Sequence, residues 1–408
     1  MSEKIAYLVA EFPKPSETFV SREVLTLQKL GMEIVPFAFQ GPGAQEVAAL
    51  DAPTRRLAEE VEYLPNAKVL TGALASLPAV GRCWCANRRL PAGAHGGSKQ
   101  VRLLRAARLA RELEARGIEH LHAHWPYATQ VAYLVHKLTG MPFSVSIHAH
   151  EVEHDHAHFP ATFEALSFAT FCNRAAMERL LQRLPTGARE RSHLIYHGVD
   201  LSRFAPLPFP ASATPLRVIS AGRLTKTKGF DRLVRACACT HAHGHAIELT
   251  ILGQGAIEPE LRALAEERGF SEHLHLPGWL PHDQVAARLA ESHLFALMAD
   301  TNFHDGLPNV VLEAMASARP VILSPIPAAS EAITDGAEGF VLSAADDEAG
   351  MCAALDLCQA APEKLAAMGG AARDRVAQLF DQDFHARRLQ TLFTTPAACA
   401  VHTSRHES

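Results

Sequence analysis

The chain has 408 residues, of which 48% are hydrophobic and 20% are charged. This composition is ordinary for a globular protein, and the length favours two or three domains over a single core. The formal net charge of −5 argues against a general nucleic-acid-binding protein, so we expect no nucleic-acid partner.

Neither the N-terminus nor any later segment has the composition of a membrane span. The chain enters a strand pattern at once with "KIAYLVAEF" (4–12), and no run approaches the roughly 20 apolar residues that a span requires. The eight cysteines form no Cys-x-x-Cys pair and suggest no disulfide framework. We therefore expect reduced thiols in a cytoplasmic protein, either soluble or peripheral on the inner face of the cytoplasmic membrane.

The first half of the chain alternates apolar strands with amphipathic helices. After 4–12, the pattern predicts strands at 33–39, 120–124, 142–149 and 192–199, with helices ending near Leu30 and Thr139. This alternation is typical of a parallel sheet covered by helices on both faces. Segment 40–100 is irregular and gives no placed elements.

A basic segment, residues 80–117, interrupts this half. It carries nine Arg or Lys residues against two Glu residues. It is either a solvated loop and helix face or a basic surface for an anionic membrane or a charged acceptor. The nine are Arg82, Arg88, Arg89, Lys99, Arg102, Arg105, Arg108, Arg111 and Arg116.

The composition changes at "SRFAPLPFPASATP" (202–215), a segment rich in Pro, Ala and Ser that is typical of a linker. Strand patterns then resume at 216–223, 247–255, 273–278, 294–299, 320–325 and 339–343. We predict two doubly wound α/β domains that face a central cleft, where ligands usually bind. The predicted limits are 1–200 for the first domain, 201–215 for the linker, 216–379 for the second domain, 380–396 for a helix that crosses back, and 397–408 for a flexible tail.

Basic residues follow the first strand of the second domain. In "SAGRLTKTKGFDRLVRA" (220–236), Arg223, Lys226 and Lys228 lie in a loop between the strand and a helix. Cations at the carboxyl edge of a parallel strand are suited to phosphate binding, through bidentate Arg contacts and the point charge of Lys. The spacing is not that of a P-loop, and "GQG" (253–255) is too short to be a dinucleotide motif.

Two acids bracket a helix start in "HDGLPNVVLEAMA" (304–316). Asp305 precedes the turn and Glu313 lies within the helix, with Pro308 suited to its first turn. Backbone N–H groups at such a helix start bind anions, and the acids could accept hydrogen bonds from hydroxyls on either side. Alternatively, both carboxylates simply interact with the helix dipole.

Taken together and in order, these motifs resemble those of the family 4 retaining glycosyltransferases, which have the GT-B fold. The likeness rests on "GRLTKTKG", "DGLPNVVLEAMASARPVI" and "SEAITDGAEGFVL" in the second domain. In the first domain, "FPKPSETFVSREV", "HLHAHW" and "PFSVSIHAHE" resemble the bacterial exopolysaccharide and lipopolysaccharide branch. The resemblance implies transfer of a sugar from a nucleotide-diphosphate sugar, a UDP- or GDP-sugar, to a saccharide or lipid-linked acceptor.

The resemblance also implies roles for individual residues. Arg223 and Lys228 would neutralise the donor diphosphate, and Glu313 would hold the ribose hydroxyls. Asp305 would face the sugar, and His148 would contact it near the reacting carbon. Other donor contacts would come from Gly278, Trp279 and Leu280 near the base and from Gly306, Leu307, Pro308 and Asn309; the sugar or acceptor side would include Ser16, Glu17, Thr18 and His124.

The chain departs from the family pattern at several positions. The family usually has Glu where Asp305 stands, so its carboxylate is one methylene shorter, a change that bears on the sugar or its pose. A Gly-Gly pair of the family is Pro327-Ala328 here, although Glu331 is kept. "PKPSE" replaces a glycine-rich loop after the first strand, and there Ser16 could contact a ligand or cap the next helix.

The histidine-rich segment "HAHEVEHDHAHF" (148–159) raises the alternative of a metal site. Only His148 and His150 are expected at a strand end, so we interpret the rest as a solvated loop and expect no catalytic metal or cofactor. The other rivals are a nucleotide-sugar epimerase or glycosyl phosphorylase on the same architecture, and a nucleotide-sugar-binding protein without turnover.

Overall fold

The computed structural model describes residues 4–15, 17–64, 77–91, 98–154, 156–206, 208–210, 214–301 and 306–395. Within it the chain divides into two compact units. One holds the residues up to His197 together with those from Asp383 onward, and the other holds Gly198–Gln382. Among the described residues, no helix is both long and apolar enough to cross a bilayer.

The first unit is built on a parallel sheet of seven strands in the order β3-β2-β1-β4-β5-β6-β7. Its strands are β1 (Lys4–Glu11), β2 (Glu33–Gln40), β3 (Glu62–Tyr63), β4 (His120–His124), β5 (Phe143–Ile147), β6 (Ala169–Phe171) and β7 (Ser192–Leu194). Its helices up to that point are α1 (Thr18–Lys29), α2 (Ala44–Ala49), α3 (Ala52–Glu60), α4 (Leu77–Arg89), α5 (Lys99–Ala115), α6 (Pro126–Thr139), α7 (Ala149–His154), α8 (Phe159–Phe163) and α9 (Arg174–Leu181).

The residues of β1 alternate between two hydrophobic cores, one on each face of this sheet. Ala6 and Leu8 lie in the core that includes residues of α5 and α6, whereas Ile5, Tyr7 and Val9 lie in the core that includes residues of α1. Side chains alternate between the faces of a strand, so a strand buried on both faces needs an unbroken apolar run. This explains why β1 is predictable from its sequence.

The second unit contains a parallel sheet of six strands in the order β10-β9-β8-β11-β12-β13. Its strands are β8 (Leu216–Ala221), β9 (Ile247–Leu252), β10 (Leu274–Gly278), β11 (Leu294–Leu297), β12 (Val321–Leu323) and β13 (Gly339–Val341). Its helices are α10 (Phe230–Ala242), α11 (Glu258–Glu267), α12 (His282–Glu291), α13 (Asn309–Ala316), α14 (Ala329–Ala332), α15 (Glu348–Ala360) and α16 (Pro362–Leu379).

A last helix, α17 (Gln382–Thr394), contributes Ala386, Leu389 and Phe393 to a core of the first unit. The start of the predicted linker belongs to the second unit. Arg373 donates hydrogen bonds to the backbone carbonyl oxygens of Leu201 and Phe204, over 3.1 and 2.8 Å. The chain is therefore already anchored in the second unit before the Pro-rich segment, and the predicted tail, 397–408, lies outside the described residues.

Both sheets have a switch point, where the strand order reverses. In the first sheet it lies between β1 and β4, and in the second between β8 and β11. Ligands of doubly wound proteins bind outside the carboxyl ends of the strands at such points. The loops that follow these four strands are therefore where a site is expected in each unit.

The turn from the loop after β8 into α10 depends on Gly229. Its φ is +64°, and an added Cβ would lie 1.9 Å from the backbone oxygen of Met298, just beyond β11. Only a residue without a Cβ allows the two loops to approach this closely.

We predict that Gly229→Ala destabilises the second unit by more than about 2 kcal/mol, because the left-handed φ and the clash act together. Gly244→Ala is the matched control, since Gly244 has a φ of +87° and a Cβ added there would meet no atom within 4 Å. Chemical denaturation of both variants measures the difference; equal losses of stability would show that the close approach to Met298 is unimportant.

Candidate active site

The loop after β8 places two cations at the switch point of the second sheet. Arg223 is exposed, and the Lys228 side chain lies beside Gly222, since a Cβ added there would be 3.4 Å from the Lys228 Cε. Lys226–Lys228 forms a 3₁₀ turn in which the Lys228 N–H donates to the Thr225 oxygen over 3.1 Å. The expected basic loop is therefore ordered and lies at a strand end.

The loop after β11 is held against the loop after β8 by hydrogen bonds of Asp300. The Asp300 N–H donates to the Thr227 oxygen over 2.9 Å, and its carboxylate accepts a 2.5 Å hydrogen bond from Arg232 of α10. These contacts hold the start of the β11 loop against the basic turn.

Helix α13 begins at the other end of that loop. Its first residue is Asn309, and Pro308 is the N-cap residue, one position earlier than the first-turn position we expected. Gly306 has a φ of +75° and lies just before the helix. Glu313 is only 4% exposed, in the second turn. Asp305 lies outside the described residues.

The predicted donor residues Gly278, Trp279 and Leu280 lie at the same carboxyl edge of the second sheet as the basic turn. The Gly253 N–H donates to the Gly278 oxygen over 2.8 Å, and the Leu224 N–H donates to the Gln254 oxygen over 2.9 Å. These bonds link the loops after β10, β9 and β8 in turn. Trp279, next to Gly278, has 44% of its surface exposed and is free to contact a planar ring.

A separate groove of about 570 Å³ lies in the second unit between α10 and α11. Its lining includes Lys226, Arg232 and Asp300, but neither Arg223, Lys228 nor Glu313. The groove therefore borders the basic turn without containing the predicted donor residues.

In the first unit, aromatic and imidazole rings cluster at the ends of β4 and β5. The His148 ring stacks on Trp125 with a centroid distance of 4.1 Å, and its Nε2 lies 3.4 Å from His124 Nδ1. Phe19 stacks on His197 at 4.0 Å. Of the predicted residues, His124 and His148 are thus in contact.

Trp125 also brings in the loop after β1. Its indole N–H donates to Glu17 over 3.1 Å, and its φ of 74° is unusual for a residue other than glycine. Strained backbone of this kind often occurs at functional sites. Thr18 begins α1 beside Glu17, and Ser16 lies outside the described residues.

Glu23 is a candidate that the sequence alone did not reveal. Its Oε1 accepts a 3.0 Å hydrogen bond from the Tyr7 hydroxyl and lies 3.3 Å from His124 Nε2. The residue lies inside α1, where a single Glu gives no sequence signal. His197, the last residue of the first part of this unit, is likewise not among the predicted site residues.

Burial keeps the central imidazoles neutral. It lowers the pKa of His148 well below its usual value, with further lowering from the neighbouring His197 and His124. Burial also lowers the pKa of His197 to about 4 and raises the pKa of Glu17. His148 is 5% exposed and its Nδ1 has no hydrogen-bond partner in the described structure, so in the neutral ring this nitrogen can accept a hydrogen bond.

A chain of hydrogen bonds joins histidine and hydroxyl side chains of β4, β5 and β6 next to these imidazoles. Ser144 Oγ is 2.7 Å from both His120 Nε2 and His122 Nδ1, and Ser146 Oγ is 2.9 Å from His122 Nε2. Ser146 continues this chain of hydrogen bonds to Thr170 over 2.8 Å. These hydrogen bonds satisfy buried polar groups that would otherwise be costly.

The basic segment is partly internal. Arg102 is 1% exposed and donates to Asn87 over 2.9 Å, and Arg105 donates to the Tyr127 hydroxyl over 2.8 Å. Arg116 pairs with Glu62 at 3.0 Å. Neither alternative for this segment, a solvated face or a basic surface, holds at Arg102, which is buried and joins α4 to α5.

Comparison with known proteins adds three findings. Residues 208–375 match the family model described as glycosyl transferases group 1. The chain is 26% identical over 413 residues to WcaL of Salmonella typhimurium, provisionally named a colanic acid biosynthesis glycosyltransferase, covering 96% of this chain and all of the relative. It is 25% identical to the amylovoran biosynthesis glycosyltransferase AmsK of Erwinia amylovora, covering 95% and 98% of the two chains.

Among solved structures, HepE of Anabaena in complex with UDP is similar with a TM-score of 0.73, covering 96% of this chain and all of that one. The sequences are 16% identical, so the similarity concerns the fold. Together with the two parallel sheets, it shows the GT-B fold.

We predict that the first unit loses stability as the pH falls from 6.5 to 4. The pKa values of His120 and His193 are also lowered to about 4 by burial, so the unfolded chain binds protons in this range and the folded chain does not. Each such histidine lowers the free energy of unfolding by about 1.4 kcal/mol per pH unit.

Denaturant titrations at several pH values, followed by tryptophan fluorescence, measure this slope. His120→Gln, which keeps a donor or acceptor near Ser144, should reduce it, whereas His275→Gln, at an exposed residue of the second unit, should not. An unchanged slope in His120→Gln would contradict the neutral, buried state of that imidazole.

Proposed function

We infer that this chain is a glycosyltransferase that moves a sugar from a nucleotide-diphosphate sugar to a saccharide or lipid-linked acceptor in bacterial surface-polysaccharide biosynthesis. The group 1 glycosyltransferase match and the similarity to WcaL and AmsK support the enzyme class and the pathway class. The observation that carries the donor assignment is the position of Arg223, Lys228 and the start of α13 around one switch point.

The chemistry requires positive charge at this position. As the bond between the anomeric carbon of the sugar and the diphosphate oxygen of the donor breaks, negative charge develops on the leaving diphosphate. Arg223 and Lys228, with the first N–H groups of α13, would stabilise that charge without rearranging, which is electrostatic preorganisation. Glu313 would accept hydrogen bonds from the ribose hydroxyls, and Asp305 would orient the sugar.

The remaining donor contacts follow from the same edge of the sheet. Trp279 and Leu280 would border the base, while backbone groups from Gly306 to Asn309 would contact the phosphates and sugar. The base is proposed to be uracil or guanine, and UDP in the similar HepE structure supports uracil. We propose retention of configuration, with the leaving phosphate oxygen accepting the acceptor's proton on the same face.

On the sugar and acceptor side, the neutral His148 would accept a hydrogen bond from a sugar hydroxyl near the reacting carbon. A cationic imidazole could only donate, so the lowered pKa of His148 favours this role. Glu17, Thr18 and His124 would position the acceptor around it, and Ser16 is assigned to the same side by sequence alone.

We also propose a cytoplasmic location with peripheral membrane contact. The part of the basic segment that suits an anionic membrane is α4, where Trp84 is 50% exposed and Arg88 lies over its ring at 4.8 Å. Aromatic and basic side chains of this kind are typical of membrane interfaces.

The experiment begins with a thermal-shift screen of UDP-, GDP- and ADP-sugars on the full chain. A donor at about 100 times its Kd should stabilise the protein by about 2.7 kcal/mol. The best donor is then incubated with saccharide and lipid-linked acceptors, and the products are separated by chromatography. Epimerised donor in the absence of acceptor would instead establish an epimerase, and binding without any product would establish a binding protein.

Two lysines of one turn provide a matched pair of variants. Lys228→Ala should reduce kcat/KM for transfer by about 100- to 1,000-fold, the usual loss when one stabilising group is removed. Lys226→Ala should change it little, because Lys226 is 81% exposed and lies 3.7 Å from Glu260. Equal effects of the two substitutions would contradict the assignment of Lys228 to the diphosphate.

A further inference from the structure

Three potential metal ligands, with a carboxylate beside them, lie between α10 and α15, at the opposite end of α10 from the basic turn. Cys239 and His243 are four residues apart at the end of α10, and Cys352 and Asp356 are four residues apart on α15. Residues at this spacing lie on the same face of a helix. Each helix thus presents one pair of these side chains to the other.

The ligand atoms are already close together. The Sγ atoms of Cys239 and Cys352 are 3.0 Å apart. His243 Nε2 lies 3.7 Å from Cys239 Sγ, and His243 Nδ1 lies 3.8 Å from Cys352 Sγ. Asp356 Oδ2 is 3.0 Å from His243 Nδ1.

These separations fit a tetrahedral ion. With Zn–S of about 2.3 Å and Zn–N of about 2.0 Å, neighbouring ligand atoms lie roughly 3.3–3.8 Å apart. An imidazole binds an ion through one nitrogen, and His243 Nδ1 already faces Asp356, so Nε2 is the ligand atom; its 3.7 Å distance to Cys239 Sγ is within this range. The two sulfurs would need to separate by less than about 1 Å. Cys239 is exposed while Cys352 is buried, so an ion can enter from solvent and be held against the core.

We propose that Cys239, His243 and Cys352 form a binding site for a thiophilic divalent transition metal ion, with Zn²⁺ as the probe. Asp356 would orient the imidazole by accepting a hydrogen bond from His243 Nδ1, 3.0 Å away. Thiolate and imidazole ligands favour zinc over magnesium or calcium. On binding, the two thiol protons are released to solvent, and the ion is held by two thiolates and His243 Nε2, with a water molecule in the fourth position. His245 Nε2, 3.7 Å from Asp356 Oδ1, would support the carboxylate from outside.

The site is separate from the donor residues and independent of the proposed transfer reaction. Cys239 follows Lys228 by eleven positions, mostly helical, which corresponds to roughly 17 Å along a helix. A metal ion here would cross-link α10 to α15 within the second unit. Its effect is therefore on the stability of that unit.

The test uses the full chain, reduced and stripped of metal with a chelator, then titrated with Zn²⁺ or Co²⁺. We expect one Zn²⁺ per chain that is absent from Cys239→Ser and from His243→Gln, a rise in melting temperature with Zn²⁺, and a thiolate-to-cobalt charge-transfer band with Co²⁺. Cys85→Ser, which removes an exposed cysteine of the first unit, is the control and should retain all three properties.

Metal bound elsewhere does not obscure the result. His148, Cys172 and His197 have ligand atoms within 4.8 Å of one another, but ions held there would remain in both variants. Because Cys239 and His243 are exposed, neither substitution should prevent folding, and circular dichroism checks this. Equal zinc content in wild type and both variants, or a Cys239–Cys352 disulfide that persists in reductant and excludes zinc, would overturn the proposal.

Discussion

The proposed donor residues depend on one property of parallel sheets, namely that all strands end at the same edge. At the β8/β11 switch point the neighbouring helices and loops diverge, and the chain can present side chains and unpaired N–H groups there without breaking a ladder of hydrogen bonds. Arg223 and Lys228 follow one of these strands and α13 follows the other. The close approach at Gly229 and the Asp300 contacts hold the two loops together.

The loops at the strand ends carry differently charged side chains in the two units. The loops of the second unit carry exposed cations suited to phosphate. In the first unit, burial lowers the pKa of His122 in β4, of His148 after β5 and of His197 after β7, so these three imidazoles are uncharged near neutral pH. Neutral rings can accept hydrogen bonds from hydroxyls and stack on Trp125 and Phe19. This division is what sugar transfer from a charged donor to a neutral hydroxyl would require.

The elements predictable from sequence are those with strong local patterns. β1 and β4 are buried on both faces and read as continuous apolar or strand-like runs, and "GLPNVVLEAMA" signals the start of α13. The strand β3 escapes prediction because it has two residues, too few for a period to appear, and it lies in segment 40–100, where no element is placed. The three-residue strand β6 is also missed.

The site residues, like the helices and strands, are predictable from sequence only where a local motif marks them. Motifs identified Arg223, Lys228 and Glu313, whose proposed roles follow from local loops and one helix start. Glu23 could not be found, since its contact with His124 depends on packing between α1 and β4. The pairing of Cys239 with Cys352 joins residues more than one hundred positions apart, which no spacing rule connects.

The contribution of the second phosphate to nucleotide affinity tests the donor assignment most directly. Calorimetry would compare the nucleoside diphosphate of the best donor with its monophosphate, in the wild type and in Arg223→Ala/Lys228→Ala. We expect the wild type to bind the diphosphate more tightly by at least about tenfold, or about 1.4 kcal/mol, and the double variant to lose most of this difference. An undiminished preference for the diphosphate in the double variant would contradict the assignment of these two residues to the leaving group.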